Sequence, residues 1–284
     1  MRALAAMTIG GMMVVATPAM AQTGLLVVAH GADSSWNAKV RDVVAQVQWN
    51  GPVRTAFLMG AEAKDASWDA GVQQLVAAGA KSLVVVPLMV SSHGSHTRQV
   101  MFYGGALPEM PAELAKGGHD HHHHGGPPPV PTRVTTALDD APELGEALAA
   151  RWRELPAADR ARPLVLVAHG PNAEADVPRW IAGIRAATAP LAAALGDKPL
   201  HIGLLRDDAP REVRAAAVQG IRDTITALAT QHGDSVTVMT VLVSSGQINR
   251  VKVPQDLAGM PMRYVGAALA PHGALARWIE RVAR

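Results

Sequence analysis

The sequence predicts an α/β fold in which two similar halves each form a four-stranded parallel sheet flanked by helices. Short apolar runs that suit buried strands alternate with segments that suit helices, and this alternation favours parallel sheets. Leu25–Gly31, an apolar run that ends in His-Gly, returns 139 residues later as Leu164–Gly170. A Ser-Ser pair after a second apolar run also returns, at Ser91-Ser92 and at Ser244-Ser245. Landmarks repeated in the same order indicate a duplicated chain.

The first 21 residues are predicted to be a signal peptide. Met1-Arg2 supplies a short positive start, Ala3–Ala16 is uncharged and mostly apolar, and Ala19-Met20-Ala21 has the small-x-small pattern of a cleavage site. We therefore expect export to the periplasm and a mature chain that begins at Gln22. No later stretch is apolar enough to span a bilayer, so no stable membrane insertion is expected after removal of the signal.

The first half is expected to occupy residues 22–157. Asp33 and Ser34 are suited to cap its first helix, and Gly79 to end its second. The predicted strands are Leu25–Ala29, Val53–Leu58, Leu83–Val90 and a segment near Arg133–Leu138; the predicted helices run from Ser34 to about Gln48, over Ala66–Ala78, from about Ser95, and over Ala141–Leu155.

The second half is expected to occupy residues 158–284, after a boundary near Pro156–Pro163. It opens with the strand at Leu164, and Val241–Ser245 corresponds to Leu88–Ser92 of the first half. Ala268–His272 leads into a last helix, as Ala137–Pro142 does in the first half. This order gives the second half the same strands and helices as the first.

Composition excludes several classes of function. The chain has no cysteine, so disulfides and thiolate metal sites are excluded and any metal must be held by histidine or carboxylate. A net charge of +2, two Phe, two Tyr and no basic cluster argue against a nucleic-acid partner. Neither a phosphate-binding loop nor a Gly-x-Gly-x-x-Gly motif is present, so no organic cofactor is expected.

Histidines follow two of the predicted strands of the first half. His30 follows the first strand, and His93 and His96 follow the third. Ligands of open parallel sheets bind at the carboxyl ends of the strands, where these side chains emerge, and neutral imidazole suits divalent Co, Ni, Fe and Zn. A helix-capping or core role is the alternative for each histidine. The second half keeps His169 but has Gly246 where His93 is expected, which suggests a single working site with the second half as scaffold.

A histidine-rich segment interrupts the first half between its third helix and fourth strand. The predicted loop 117–129 is flanked by glycine and proline and contains His119, His121, His122, His123 and His124. Clustered imidazoles bind divalent cations with little dependence on fold. The segment is interpreted either as an auxiliary metal-binding loop or as an incidental low-complexity insert.

Three segments resemble the sirohydrochlorin cobaltochelatase family (CbiX-like). They are Leu26–Gly31, Val85–His93 and the closing Ala270–Ile279. The resemblance covers most of the chain and implies two chelatase-like lobes of the class II chelatase fold. One difference lies at the second strand, where the family's glutamate after Phe-Leu is displaced because Met59-Gly60 follows Phe57-Leu58.

The resemblance implies ATP-independent insertion of a divalent metal into a tetrapyrrole such as sirohydrochlorin. The metal, a substrate, is expected to be Co²⁺, or else Ni²⁺ or Fe²⁺. His30 and His93 then match the catalytic histidines, with His96 as a further ligand or a replacement for His93. The alternative hypothesis is a non-catalytic periplasmic protein that binds the metal and delivers it to or from a metal transporter. A tetrapyrrole carrier without chemistry is a third possibility.

Overall fold

A computed structural model describes residues 22–115, 126–233 and 235–284 of the chain. Within these ranges, none of the helices is both long enough and apolar enough to cross a bilayer. The strands are β1 Gln22–Ala29, β2 Val53–Phe57, β3 Ala80–Pro87, β4 Thr132–Val134, β5 Leu164–Ala168, β6 Leu200–Leu204, β7 Val236–Val241 and β8 Met262–Val265. The helices are α1 Ser34–Val44, α2 Trp68–Ala77, α3 Ser95–Tyr103, α4 Ala112–Ala115, α5 Pro142–Arg153, α6 Ala157–Arg160, α7 Val177–Ala187, α8 Ala189–Leu195, α9 Arg211–His232, α10 Val253–Asp256 and α11 Gly273–Ala283.

The strands form two separate parallel sheets with the same internal order. The first sheet has the order β2-β1-β3-β4 and the second the order β6-β5-β7-β8. The central strands β1 and β5 are buried over Leu25–Ala29 and Leu164–Ala168, which is why their sequences are continuously apolar. The predicted α/β fold with two duplicated four-stranded parallel sheets is confirmed.

Several predicted boundaries differ from the structure. The apolar run Leu83–Val90 was expected to be a strand to its end, but β3 ends at Pro87 and the chain then leaves the sheet. Leu88 and Val90 stay buried as part of the core after the strand ends, which explains their apolar character. The predicted strand near 133–138 is limited to Thr132–Val134.

The predicted cap of the first helix is confirmed at Asp33. The Asp33 carboxylate accepts a hydrogen bond from the Trp36 backbone N–H at 2.9 Å and caps α1. Ser67, which was not predicted as a cap, serves α2 in the same way and accepts from the Ala70 N–H at 3.1 Å. Gly79 follows α2 with a φ of +93°, a left-handed conformation that glycine adopts without strain.

One buried hydrophobic cluster is shared by the two lobes, and each lobe also has a cluster of its own. Helix α11, the last of the chain, packs against β3, α1 and α5, so an element of the second half covers the first sheet. Helix α5 in turn packs against α7 and α8. The buried cluster contains Leu25 and Val86 from one sheet, Leu164 and Met239 from the other, and Trp278 of α11. All strands of the first sheet precede residue 157 and all strands of the second follow it, whereas the helices cross between the lobes.

We expect the variant Gly145→Ala to be less stable than the wild type by about 1–3 kcal/mol. Gly145 lies on α5 where a Cβ atom would be 1.9 Å from the Ala187 carbonyl oxygen, so the helix packing must open. Gly220, on the exposed face of α9, has nothing within 4 Å of the same position. Gly220→Ala is therefore the matched control and should add about 0.5–1 kcal/mol through helix propensity. Urea denaturation measures both, and equal effects of the two variants would contradict the close packing of α5.

Candidate metal centre between the two lobes

His30 and His169 occupy equivalent positions after the central strands. Nδ1 of His30 lies 2.8 Å from the Gly31 carbonyl oxygen, and Nδ1 of His169 lies 2.9 Å from that of Gly170. Both glycines have left-handed φ angles, +85° and +80°, which place their carbonyls beside the imidazoles. A carbonyl only accepts, so Nδ1 is the donor. In a neutral ring this leaves the lone pair on Nε2, the geometry of a metal-ligating histidine.

His96 packs directly against His30. The two ring centroids are 4.7 Å apart and the rings are nearly perpendicular. His96 lies in the first turn of α3, and its Nδ1 is 3.1 Å from the buried Gln99 side-chain oxygen. The Gln99 amide donates in turn to the Tyr103 hydroxyl at 2.8 Å. Because Gln99 offers an oxygen acceptor, His96 donates from Nδ1, and this contact orients its ring beside His30.

Burial makes His30 a neutral imidazole. Desolvation, reinforced by the charge of His96, lowers the pKa of His30 to about 4. A ring that stays unprotonated well below neutral pH is competent to bind a metal without first losing a proton.

His93 lies apart from this pair. It is partly buried, its backbone N–H donates to the Ser91 hydroxyl at 3.2 Å, and it is not among the residues that line the cavity described below. The loop is held by Asp139, whose carboxylate accepts from the Ser92 N–H at 2.7 Å and from the Ser92 hydroxyl at 2.6 Å. The structure thus brings His96 to His30 and leaves His93 outside, and the metal role of His93 stays a prediction.

The expected correspondence between His93 and Gly246 needs correction. The Arg98 N–H donates to the Gly94 carbonyl at 3.1 Å, and the Arg250 N–H donates to the Gly246 carbonyl at 3.0 Å. Gly246 is therefore the counterpart of Gly94, and His93 is an additional residue in the loop of the first lobe. On the same alignment, Ile248 takes the position of His96.

The second lobe contributes a histidine–carboxylate pair that sequence reasoning missed. Nε2 of His169 lies 3.3 Å from the Asp208 carboxylate. Burial opposes protonation of His169, but Asp208 outweighs it and raises the pKa of His169. The hydrogen bond from His169 lowers the pKa of Asp208, although burial acts in the opposite direction. The charges of His96 and His30 lower this pKa further. The only signal in the sequence was the pair Asp207-Asp208, which begins three residues after the end of β6.

These groups face a cavity of about 330 Å³ between the carboxyl ends of the two sheets. Its polar wall includes His30 and His96 from the first lobe and His169 and Asp208 from the second. The cavity combines this polar set with a mainly apolar wall, the usual character of a ligand site. The apolar wall includes Trp36, Leu88, Met89, Val90, Trp180, Leu242, Val243 and Ile248.

Each lobe reaches across the cavity to the other. Trp36 of α1 lies so close to Gly246 that a Cβ atom there would be 2.9 Å from the indole, and the Ser244 hydroxyl donates to the Trp36 carbonyl at 3.0 Å. Arg98 pairs with Asp176, and Arg250 pairs with Asp33, so two crossed ion pairs join the lobes. The contacts hold the two strand edges against one another across the site.

Glu62, the first acidic residue after β2, pairs with Arg41 and does not line the cavity. The auxiliary loop histidines, His119, His121, His122, His123 and His124, lie outside the described residues, as does the predicted signal peptide.

We expect the free energy of unfolding to fall as the pH drops from about 6.5 to about 4. The pKa of His30 is 6.5 in an ordinary environment and about 4 in the folded protein. The unfolded state therefore binds the additional proton over this window, and acid favours unfolding. Urea denaturation between pH 7 and pH 4 should show a shallower loss for His30→Gln, which removes the titrating group. The same pH dependence in the variant would contradict a neutral, buried His30.

Comparison with known proteins agrees with the architecture. Residues 24–155 match the family model of CbiX. The structure of SirB from Bacillus subtilis with Fe³⁺ is similar, with 16% identity, a TM-score of 0.60, and 92% of this chain and 94% of SirB covered. The sirohydrochlorin chelatase SirB from Bacillus subtilis subspecies spizizenii, in complex with cobalt, gives 14% identity, a TM-score of 0.59, and coverage of 93% and 94%.

A CbiX described as the terminal enzyme of siroheme biosynthesis in denitrifying bacteria has a TM-score of 0.51 at 18% identity, over 91% of this chain and 97% of that one. At these identities the structural likeness shows the two-lobed fold alone. No curated protein sequence matches the chain.

Proposed function

We propose that the chain is a chelatase of the CbiX-like family, whose model matches residues 24–155 of its first lobe, and that it inserts a divalent metal into a tetrapyrrole such as sirohydrochlorin. The observation that carries the proposal is the pair His30 and His96, packed ring edge to ring face in the cavity between the lobes. Each ring has its Nδ1 engaged, and we propose Nε2 of each ring as the atom that binds the metal. We propose Co²⁺ as the substrate metal, with Ni²⁺ and Fe²⁺ as alternatives, and no requirement for ATP.

The cavity supplies what metal insertion needs. The incoming ion must be held by ligands that release it, and imidazole nitrogens bind Co²⁺, Ni²⁺ and Fe²⁺ while remaining exchangeable. Two pyrrole N–H protons leave as the ion enters the macrocycle, so a proton acceptor is needed beside the metal. His96 and the His169–Asp208 pair line the cavity and can take these protons as the ion leaves them for the macrocycle. Trp36 and Trp180 offer aromatic faces to a planar ligand.

Export is the second part of the proposal. The first 21 residues have the pattern of a signal peptide, which supports a periplasmic location. A periplasmic chelatase receives its tetrapyrrole and its metal outside the cytoplasm, so a metal transporter is the partner we propose.

Metal binding and delivery without chemistry is the alternative. Two observations favour it: the carboxylate expected after the second strand of the first lobe is replaced by Met59-Gly60, and five histidines crowd into residues 119–124. Under this alternative the same His30–His96 pair binds the ion and passes it to a partner.

The two functions are separated by the rate of metal insertion. Sirohydrochlorin is incubated with Co²⁺ and the purified protein, and its absorption spectrum is followed beside a protein-free control. A chelatase accelerates the spectral change of sirohydrochlorin relative to this control. The double variant His30→Ala/His96→Ala should abolish the acceleration, whereas replacement of the five loop histidines by asparagine should not affect it. Tight Co²⁺ binding that depends on His30, without acceleration by the wild type, would instead establish the delivery protein.

A further inference from the structure

Each lobe lacks a different member of one set of possible metal ligands at its strand ends. Each lobe has three corresponding loops at the carboxyl ends of its strands: those after β1, β2 and β3, and those after β5, β6 and β7. The first loop carries a histidine in both lobes, His30 and His169. The histidine at the third position is present as His96 in the first lobe, whereas the second lobe has Ile248 there.

In the loop after the second strand, it is the first lobe that lacks possible ligands. The Met59 N–H donates to the His30 carbonyl and the Arg206 N–H donates to the His169 carbonyl, so these two residues correspond. Gly60 and Ala61 of the first lobe are then equivalent to Asp207 and Asp208 of the second. Neither lobe alone has a histidine, a carboxylate and a second histidine at its three strand ends, but the two lobes together do.

We propose that a single divalent cation is bound jointly by the two lobes, with His30 and His96 as ligands from the first and His169 and Asp208 from the second. This inference rests on the proposed function, because the cation is the metal to be inserted, and it assigns the second lobe a direct part in the site. A set of imidazole nitrogens with one carboxylate oxygen is a ligand set that Co²⁺, Zn²⁺ and Fe²⁺ accept.

The contact between His169 and Asp208 brings two metal-ligand atoms together. Nδ1 of His169 donates to the Gly170 carbonyl, so Nε2 is the ring nitrogen that faces the carboxylate. Nε2 lies 3.3 Å from an Asp208 oxygen. With a proton on Nε2 this contact is a hydrogen bond, and a divalent cation that displaces the proton would be held by the same two atoms.

Neighbouring charges select Asp208 over Asp207 as the ligand. The ligand atoms of His169, Asp207 and Asp208 lie within 4.8 Å of one another. Asp207, however, accepts from Arg214 at 2.9 Å with one oxygen and from Lys252 at 2.6 Å with the other. Its charge is thus compensated and its oxygens are occupied. Asp208 is 45% exposed in its side chain and contacts His169 alone among the ion pairs of the described residues.

Calorimetric titration with Co²⁺ tests the joint site. The parent protein carries asparagine in place of His119, His121, His122, His123 and His124, so that the loop does not contribute binding. We expect one Co²⁺ per chain, and dissociation constants at least about tenfold weaker for each of His30→Ala, His169→Ala and Asp208→Asn. The visible spectrum of bound Co²⁺, which reports its coordination, should change in all three variants.

Two substitutions serve as matched controls. His201 and Asp197 are exposed residues of the second lobe that lie outside the cavity, so His201→Ala and Asp197→Asn should bind Co²⁺ as the parent does. Asp208→Asn keeps the size of an exposed side chain, and it therefore tests the ligand role even if His169→Ala perturbs folding.

The outcomes separate the joint site from the proposed function. Co²⁺ affinity and spectrum that respond to His30→Ala but are unchanged in both His169→Ala and Asp208→Asn would overturn the joint site and leave the chelatase proposal intact. Two Co²⁺ ions per chain, one lost with His30 and the other with His169, would also overturn it. Loss of affinity in all three variants, in a protein that does not accelerate metal insertion, would support the joint site and refute the chelatase.

Discussion

Replacing His96 by alanine should lower kcat/KM for metal insertion at least about 100-fold, a loss of about 2.7 kcal/mol of transition-state stabilisation. His96 packs against His30 at 4.7 Å and lines the cavity, so its removal takes one of two imidazole ligands from the first lobe. His93→Ala should change kcat/KM less than about threefold, because the His93 side chain is outside the residues that line the cavity. Steady-state rates with sirohydrochlorin and Co²⁺ measure both.

His93→Ala serves as the matched control for His96→Ala, since both remove a partly buried imidazole from the same segment. Unfolding midpoints within a few degrees of the wild type would show that the loss is local. A loss in His93→Ala as large as that in His96→Ala would contradict the assignment of His96 as the partner of His30.

Trp278→Ala should lower the free energy of unfolding by about 3–5 kcal/mol. Trp278 is only 1% exposed and lies in the core cluster that contains residues of both sheets. Its helix, α11, packs on the first sheet although it ends the second half of the chain. Because the lobes share this core, both should lose stability together, in one transition by circular dichroism and by tryptophan fluorescence.

Trp278→Phe retains most of the buried apolar volume and should lose clearly less stability than the alanine variant. An alanine variant that unfolds in two separate transitions, one at the wild-type midpoint, would contradict the shared core.

The fold was predictable because the signals for it are local. Continuous apolar runs such as Leu164–Ala168 mark strands that are covered on both faces, and Asp33 marks a helix start by its own side-chain chemistry. Duplication then indicated the topology, since three landmarks in the same order imply the same sheet twice. The crossing of α11 to the first sheet was not predictable, because no pattern in a helix specifies which sheet it covers.

The site was predictable only in part. Strand ends placed His30 and the third-strand histidines at one edge of the sheet, but the choice between His93 and His96 depends on the loop conformation that Asp139 imposes. The equivalence of Gly246 with Gly94 likewise appears only in the backbone hydrogen bonds. His169 and Asp208 face His30 because the lobes pack edge to edge, an arrangement that neither half encodes by itself.

Anomalous diffraction at the cobalt absorption edge, from crystals soaked in Co²⁺, shows whether the cavity between the lobes holds the metal. We expect an anomalous difference peak at about 2.0–2.2 Å from Nε2 of His30 and Nε2 of His96, with His169 and Asp208 on the opposite side of the ion. A cavity without a peak, with cobalt bound only at the histidines of residues 119–124, would contradict it.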